Sequence, residues 1–388
     1  MSTALNPTAV LALRVVLAAV LVNTVLGSIH AFSVFLAPLE TRFGVSRAAV
    51  SFIYSGTLVA LTAAVLLGPR SYARWSASVI FAGVCGVAAV GAVIAGVSLS
   101  FPLAVLGYSV IFGAANGLGY GYGLQIAAQV SPGREGLAMG IVTAAYALGA
   151  IAGSFLFALA LDGFGFQGAM IGLAAALVGM GALCLILLAG TGMRFAANRV
   201  REQTDSIPVF KQSLLWLGYF GGVLAGLMVL GHAAGIATAL RPDVLSWSAP
   251  TMIAGFNLCG SLIGGQAADR VPLGVLLAAL ALLTSASLIW IAVMGGSSGL
   301  LIGLGLVGFA YGGTIAAYPA VVAKLFGMAQ SARIYGRVFT AWGCAGLLGP
   351  WFAGFLFDWS GTYTLALSIA AGLGIASILP VMLVFYRR

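Results

Sequence analysis

GRVFTAWGCAGLLGPWFAGFLFDWSG, residues 336–361, has a counterpart 196 positions upstream. At that offset Gly140 falls on Gly336, Tyr146 on Trp342, Gly153 on Gly349, Asp162 on Asp358 and Gly165 on Gly361. Outside the stretch, Tyr122 falls on Tyr318. Each matched type has a physical reason to recur. Glycine serves close helix contact, an aromatic sits in mid-helix, and Asp-x-x-Gly marks a helix exit. The chain is 388 residues long, so the offset is close to half of it. The protein reads as two copies of one helical unit.

Composition decides the solvent. The chain is 62% hydrophobic and 6% charged, with a mean hydropathy of +1.12. An ordinary soluble domain carries about 25% charged residues. Such a chain has too little polar surface to face water, which excludes a water-soluble enzyme and makes the lipid bilayer its partner. The net charge of +9 would point to nucleic acid only if the basic residues clustered on one face. They sit at helix ends, so no nucleic-acid partner is expected. Cys85, Cys184, Cys259 and Cys344 lie in separate apolar runs, without metal-ligand or disulfide spacing. The first apolar run is too long for a signal-peptide core and has no clear cleavage site, so it reads as an uncleaved span.

A span needs about 20 mostly apolar residues. Twelve candidates follow, numbered here as spans 1 to 12: about 10–37, 48–68, 75–98, 102–128, 136–160, 167–190, 212–239, 246–267, 273–294, 299–323, 336–357 and 363–385. The expected fold class is an all-α membrane protein, twelve transmembrane helices in two pseudo-symmetric six-helix bundles, 1–191 and 212–388. The longest connection, 192–211, carries Arg194, Arg199, Arg201, Glu202, Asp205 and Pro208 and reads as a cytoplasmic linker. If both termini are inside, the inner side holds 14 of the 17 Lys and Arg residues. Only Arg42, Arg47 and Arg241 fall outside. The expected location is the cell's inner (plasma) membrane, with both termini cytoplasmic. Gly113-x-x-x-Gly117, and Gly349 with Gly354, are expected at close helix contacts. Pro319, Pro350 and Pro380 are expected to kink their spans.

Twelve spans in two repeats around a basic central loop resemble the major facilitator superfamily. That family has a Gly-x-x-x-Asp-Arg loop signature after spans 2 and 8. Gly265-Gln-Ala-Ala-Asp269-Arg270 matches it after span 8, which implies a gating role for Asp269 and Arg270. The first-half copy, Gly68-Pro-Arg70-Ser-Tyr-Ala-Arg74, keeps basic residues and lacks the Asp. Four further segments, in this order, are similar to the oxalate/formate antiporter and monocarboxylate transporter families. They are Phe35-Leu-Ala-Pro38-Leu39 to Phe43-Gly44-Val-Ser-Arg47, Arg134-Glu-Gly-Leu-Ala-Met-Gly140, Gly308-Phe-Ala-Tyr311-Gly-Gly and Tyr335-Gly-Arg-Val-Phe-Thr-Ala. The departures from those families concern charge. Their basic residue in span 8, four positions before the signature glycine, is Ser261 here, and the acidic partner four positions earlier is Asn257. The oxalate carrier's lysine after a Thr-Ala pair in span 11 is Trp342, following Thr340-Ala341. His30 stands where the monocarboxylate carriers have a span-1 lysine. The resemblance thus implies the family's site with its fixed charges removed.

Ionisable groups inside a membrane are costly and therefore functional candidates. In mid-span this chain has His30 and His232. Asn23, Gly27 and His30 share one helix face, and Met228 and His232 share another. Either histidine suits a proton switch or, when protonated, an anion partner; the competing reading is a ring bonded to a neighbouring carbonyl. Spans 4 and 10 offer Asn116 and Tyr120, then Tyr122, Gln125 and Gln129, and Tyr311, Thr314 and Tyr318, as a polar and aromatic lining. Tyr146 and Trp342 either clamp a small solute or simply pack. The candidate substrate-binding set is Asn23, His30, Asn116, Tyr120, Tyr146, His232, Asn257, Ser261, Tyr311 and Trp342, with His30 as the proton-coupling group. Asp162 and Asp358 recur in both halves and read as structural.

Repeats of this size in an apolar chain are a feature of secondary transporters, whose site lies at the repeat interface. The expected activity is alternating-access transport of a small organic solute, coupled to protons or to exchange. The resemblance implies a monocarboxylate-type anion. A carboxylate without a fixed cation is poorly tolerated away from water, so either His30 pairs with it when protonated or the solute is neutral. Transition-metal transport through Met228 and His232, a non-transporting solute sensor and an intramembrane enzyme are the rival readings. No cofactor, no metal site and no enzymatic activity is expected, and the chain is expected to be a monomer.

Overall fold

The computed structural model describes residues 7–72, 74–132, 135–195, 209–293, 296–326 and 328–386. Arg134, Arg199, Arg201, Glu202, Asp205, Pro208, Arg387 and Arg388 lie outside the described residues, as does the side chain of Asp269. The regular structure among the described residues is helical, apart from one isolated bridge between Ser76 and Arg194. Among the described residues ten segments are long and apolar enough to cross a membrane. One of them, Gly140–Leu187, holds spans 5 and 6: Gly165 interrupts the helix with φ 66 and ψ −172. Ser248–Arg270 is span 8, less apolar than the others because it carries Asn257, Ser261, Gln266, Asp269 and Arg270. These make the twelve spans expected.

The repeated Asp-x-x-Gly stretches share a glycine of positive φ. Gly165 and Gly361 both adopt positive φ, 66 and 71, a left-handed conformation that glycine enters without a Cβ penalty. The repeat is thus legible in backbone dihedrals as well as in letters. Gly140 and Gly336 recur for another reason than close contact: a Cβ at either would meet nothing within 4 Å.

The chain packs into two compact units. The first holds Met1–Ile29 and Ala60–Glu202, the second His30–Val59 and Gln203–Arg388. The boundary in span 1 falls where the chain changes from α-helix, Pro7–Leu26, to a 3₁₀ stretch, Gly27–Phe35. A 3₁₀ stretch inside a longer helix commonly marks a hinge. The helix Leu36–Phe43 follows, and span 2 is Arg47–Leu67. Span 4 carries a π-helical stretch, Leu106–Phe112, before Gly113–Gln129.

In lipid, apolar surface gains little by leaving one apolar neighbour for another, so helices associate through close backbone packing. In the first unit Gly27 of span 1 and Gly149 of span 5 face each other's helix. A Cβ at Gly27 would overlap the Tyr146 carbonyl, and one at Gly149 the Thr24 carbonyl. Gly117 meets the Leu61 carbonyl in the same way, as the span-4 glycine pattern predicts. In the second unit the broadest helix contact is span 8 against span 10. Gly260 and Gly264 meet Phe309 and Gly313, while Gly308 and Gly312 meet Ile253 and Asn257.

Pro350 lies inside Met328–Ser360. Span 12 breaks at Ser377, between Thr364–Ala376 and Ile378–Tyr386, just before Pro380. Pro319 lies within the continuous helix Ser297–Phe326.

Candidate functional site

In the first unit three candidate residues form one network. After Leu26 the tightening of span 1 from α to 3₁₀ changes the backbone bonding, and a buried carbonyl there needs a donor. Asn116 supplies it: its Nδ2 donates to the Leu26 carbonyl at 2.7 Å, and its Oδ1 accepts from the Tyr146 hydroxyl at 2.7 Å. Asn116 is fully buried with both ends of its amide in use. The Tyr120 ring packs on Tyr146 at 4.9 Å, and its hydroxyl bonds to Thr143. Asn23 is buried on span 1, its Nδ2 donating to the Ala19 carbonyl at 2.8 Å.

The second unit repeats the clasp with different chemistry. Trp342 Nε1 donates to the Tyr311 hydroxyl at 2.7 Å, both side chains being buried. Trp342 is the direct repeat partner of Tyr146, and Tyr311 is one position out of register with Asn116. Each half therefore bonds a large aromatic of span 5 or 11 to a polar group of span 4 or 10. Trp342→Phe keeps the stack on Phe339, at 5.4 Å, and removes the N–H. Loss of one such bond costs about 0.5–1.5 kcal/mol, so a modest fall in thermal midpoint is expected by differential scanning fluorimetry. Ser261 donates to Asn257 Oδ1 at 3.2 Å, both half-buried. Tyr122 and Tyr318, expected on the lining, are instead core: Tyr122 packs edge-on against Tyr72 and Tyr318 stacks on Tyr219.

The two histidines each meet a tyrosine hydroxyl. His30, half-buried, has Nδ1 2.7 Å from the Tyr54 hydroxyl. His232 is fully buried and uses both ring nitrogens. Its Nε2 lies 2.8 Å from the Pro350 carbonyl and 3.0 Å from Ser51 Oγ. Ser51 already donates its hydrogen to the Arg47 carbonyl at 2.7 Å. A carbonyl only accepts, so Nε2 carries the proton. Nδ1 then accepts from the Tyr363 hydroxyl at 2.9 Å, and that hydroxyl accepts from Arg47 Nη1 at 3.1 Å.

Around this ring, the start of span 2 is fastened within the second unit. The first N–H groups of a helix have no partner in the helix itself. Asp358 provides one from the end of span 11: Oδ1 accepts from Arg47 N at 3.2 Å and Oδ2 from Ala48 N at 2.9 Å. Its charge also complements the positive end of the helix dipole. The Arg47 guanidinium forms a two-point ion pair with Glu40 and lies over the Phe357 ring, 4.1 Å from its centroid. Gly354 admits this approach, since a Cβ there would lie 2.9 Å from Ala48 Cα.

Arg47 and Asp358 carry this junction, yet in the sequence Arg47 reads as an orientation marker closing a family-like segment and Asp358 as a helix exit. The available signal was that Glu40 and Arg47 flank a single glycine between two helices, while Asp358 closes a helix that its repeat predicts to end there. Of the signature residues after span 8, Arg270 is exposed at the helix end. Nearby, Lys324 donates to the Ala268 carbonyl at 2.6 Å, a cation at a helix C-terminus. Among the described residues no group of three His, Cys, Asp or Glu is placed to hold a metal ion.

Twelve helical spans in two internally repeated halves, with uncharged polar clasps in mid-span, define a polytopic helical membrane protein. The family model of the Major Facilitator Superfamily matches residues 16–297, and the chain belongs to that family. It is similar to the Uncharacterized MFS-type transporter YhjX of Escherichia coli (strain K12), 24% identical over 334 residues, 82% of this chain and 81% of that protein. Among solved structures it resembles a bacterial homologue of the human lysosomal transporter Spinster in its inward-facing and occupied conformation. That match has a TM-score of 0.72 at 14% identity, over 95% of this chain and 94% of the other. The inward-facing and unoccupied form gives 0.71 at 14%, over 98% and 96%. At such identity the likeness is one of fold.

Proposed function

We propose that the protein is a secondary active transporter that moves a small monocarboxylate-type solute by alternating access, coupled to protons or to exchange. The halves 1–191 and 212–388 act as the two rocking bundles, both termini are cytoplasmic, and the chain works as a monomer. The anion class follows the family resemblance, and the observation that carries the proton coupling is the uncharged character of the mid-span polar groups. Asn116, Tyr120, Tyr146, Asn257, Ser261, Tyr311 and Trp342 bear no formal charge, and the positions where the resembling families hold a fixed cation are Ser261 and Trp342. A bare carboxylate transferred beside such groups would be poorly stabilised. A carboxylate that enters with a proton, on itself or on His30, would not. His30 fits this role because it is an ionisable side chain in mid-span and is half-buried. A neutral solute suits the same uncharged groups and is the second reading.

The test is uptake of labelled formate, acetate, lactate and pyruvate into proteoliposomes, with and without an inward proton gradient. Gradient-stimulated uptake of one of them is expected, with His30→Gln reducing it about tenfold or more at equal protein incorporation. Equal proton-coupled uptake in His30→Gln would remove His30 from the mechanism. Absence of uptake by folded protein would move the substrate to the neutral class.

A further inference from the structure

The junction at His232 has a property that neither the family nor the proposed substrate site requires. We infer that His232 is a proton-operated latch: the neutral ring fastens the start of span 2 within the second unit, and protonation of the ring releases it. This rests on the transport reading only in supposing that the junction opens during the cycle.

The hydrogen bonds of the ring are all met with one ring proton. Nε2–H points to two acceptors, the Pro350 carbonyl and Ser51 Oγ, and Nδ1 receives the Tyr363 hydroxyl proton. A second proton would sit on Nδ1 and turn it from acceptor to donor. It would then face the Tyr363 oxygen, which already accepts from Arg47, while the tyrosine proton would lose its acceptor. The imidazolium and the Arg47 guanidinium would bring two positive charges to one hydroxyl.

The carboxylates around the ring are bonded elsewhere and offer Nδ1 no acceptor. Arg47 approaches from the start of span 2, Asp358 from the end of span 11 and Tyr363 from the start of span 12. Glu40, on Leu36–Phe43, holds Arg47 in a two-point ion pair, and Asp358 is engaged by two backbone N–H groups. Neither carboxylate is a hydrogen-bond partner of the ring. On the same face of span 2, Tyr54 is bonded to His30, and its ring lies against Gly231. On span 7 itself the other ionisable groups, Lys211 and Tyr219, are more than three turns away.

Ser51 makes the coupling mechanical. Its hydroxyl bridges the ring to the Arg47 carbonyl in the first turn of span 2, next to the N–H groups that Asp358 caps. Because the closed junction accommodates only the neutral ring, a proton bound to His232 shifts the population toward the open junction by the same factor that opening favours proton binding. Histidine titrates in the range where such a shift is physiologically available.

The test uses the full chain in detergent, with its four cysteines replaced by alanine and spin labels on Thr41→Cys and Thr362→Cys, both exposed and both in the second unit. Pulsed electron paramagnetic resonance gives the distance distribution at about pH 8 and about pH 5. A longer-distance population is expected to grow at least about fivefold on acidification. In His232→Gln, which keeps a donor for Pro350 and cannot titrate, it should stay constant. A distribution independent of pH in the parent, or the same growth in His232→Gln, would overturn the latch. Tyr363→Phe gives an independent arm should the glutamine variant fail to fold: the longer population should already be raised at pH 8 and grow less on acidification, and an unchanged response would equally overturn it. No substrate is involved, so failure here is separable from failure of the uptake experiment.

Discussion

Gly149→Val is expected to lower the thermal midpoint of the detergent-purified protein sharply and to abolish uptake. A Cβ at position 149 would overlap the Thr24 carbonyl, and Gly27 Cα lies 3.2 Å from that same point. Backbone atoms have no rotamer to escape into, so spans 1 and 5 must separate. Overpacking of a well-packed contact costs about 1–3 kcal/mol and occasionally more. Here it also displaces partners. Leu26, Asn116 and Tyr146 are tied by two hydrogen bonds across the same contact, and separation of span 1 from span 5 strains both. Gly140→Ala is the control. Its Cβ meets nothing within 4 Å, and alanine favours the helix over glycine by about 1 kcal/mol in water. If both variants melted alike, the assigned contact between spans 1 and 5 would be wrong.

Asp358→Ala should act on conformation more than on folding. The substitution leaves the N–H groups of Arg47 and Ala48 without their acceptor. Loss of such a cap costs about 0.5–2 kcal/mol, and one or two kcal/mol is a factor of about 5–30 in an equilibrium. The long-distance population of the Thr41–Thr362 spin-label pair should rise by that factor at neutral pH. Asp358→Asn, which keeps an oxygen and loses the charge, should fall between the two. Asp162→Ala supplies the comparison: Asp162 is exposed and occupies the same place in the first repeat. An effect equal to that of Asp358→Ala would show that the helix exit, not the cap on span 2, is what matters.

Much of the architecture was legible because lipid imposes few solutions. Every backbone polar group must be satisfied inside the membrane, so long apolar runs become helices, and their number can be counted. The merged segment Gly140–Leu187 was still separable in sequence, since Asp162-Gly-Phe-Gly165 repeats Asp358-Trp-Ser-Gly361. The glycine pattern was less transparent. Gly117, Gly349 and Gly354 do lie at close contacts, whereas Gly140 and Gly336 do not. Recurrence shows that a position is equivalent in both halves and leaves its neighbours unstated.

The mid-span candidates divided in a similar way. Composition and spacing picked out His30, His232, Asn116, Tyr146, Tyr311 and Trp342 as unusual in an apolar chain, and all six take part in side-chain hydrogen bonds. Their partners were out of reach of periodicity. His232 meets Ser51, 181 positions away, and Tyr363, 131 positions away. Asn116 meets the Leu26 carbonyl 90 positions earlier.

By itself the sequence determined the solvent, the number of spans, the internal repeat and the scarcity of charge in mid-membrane, because each is a property of composition or of spacing along one helix. Only the tertiary structure decided that Asp358 caps span 2, that Arg47 is held by Glu40 and Tyr363, and that His232 has partners for one ring proton and no more. Apart from Glu40 with Arg47, seven positions apart, those are relations between helices distant in the chain, and hydrogen-bond geometry between such helices leaves no periodic trace in either of them.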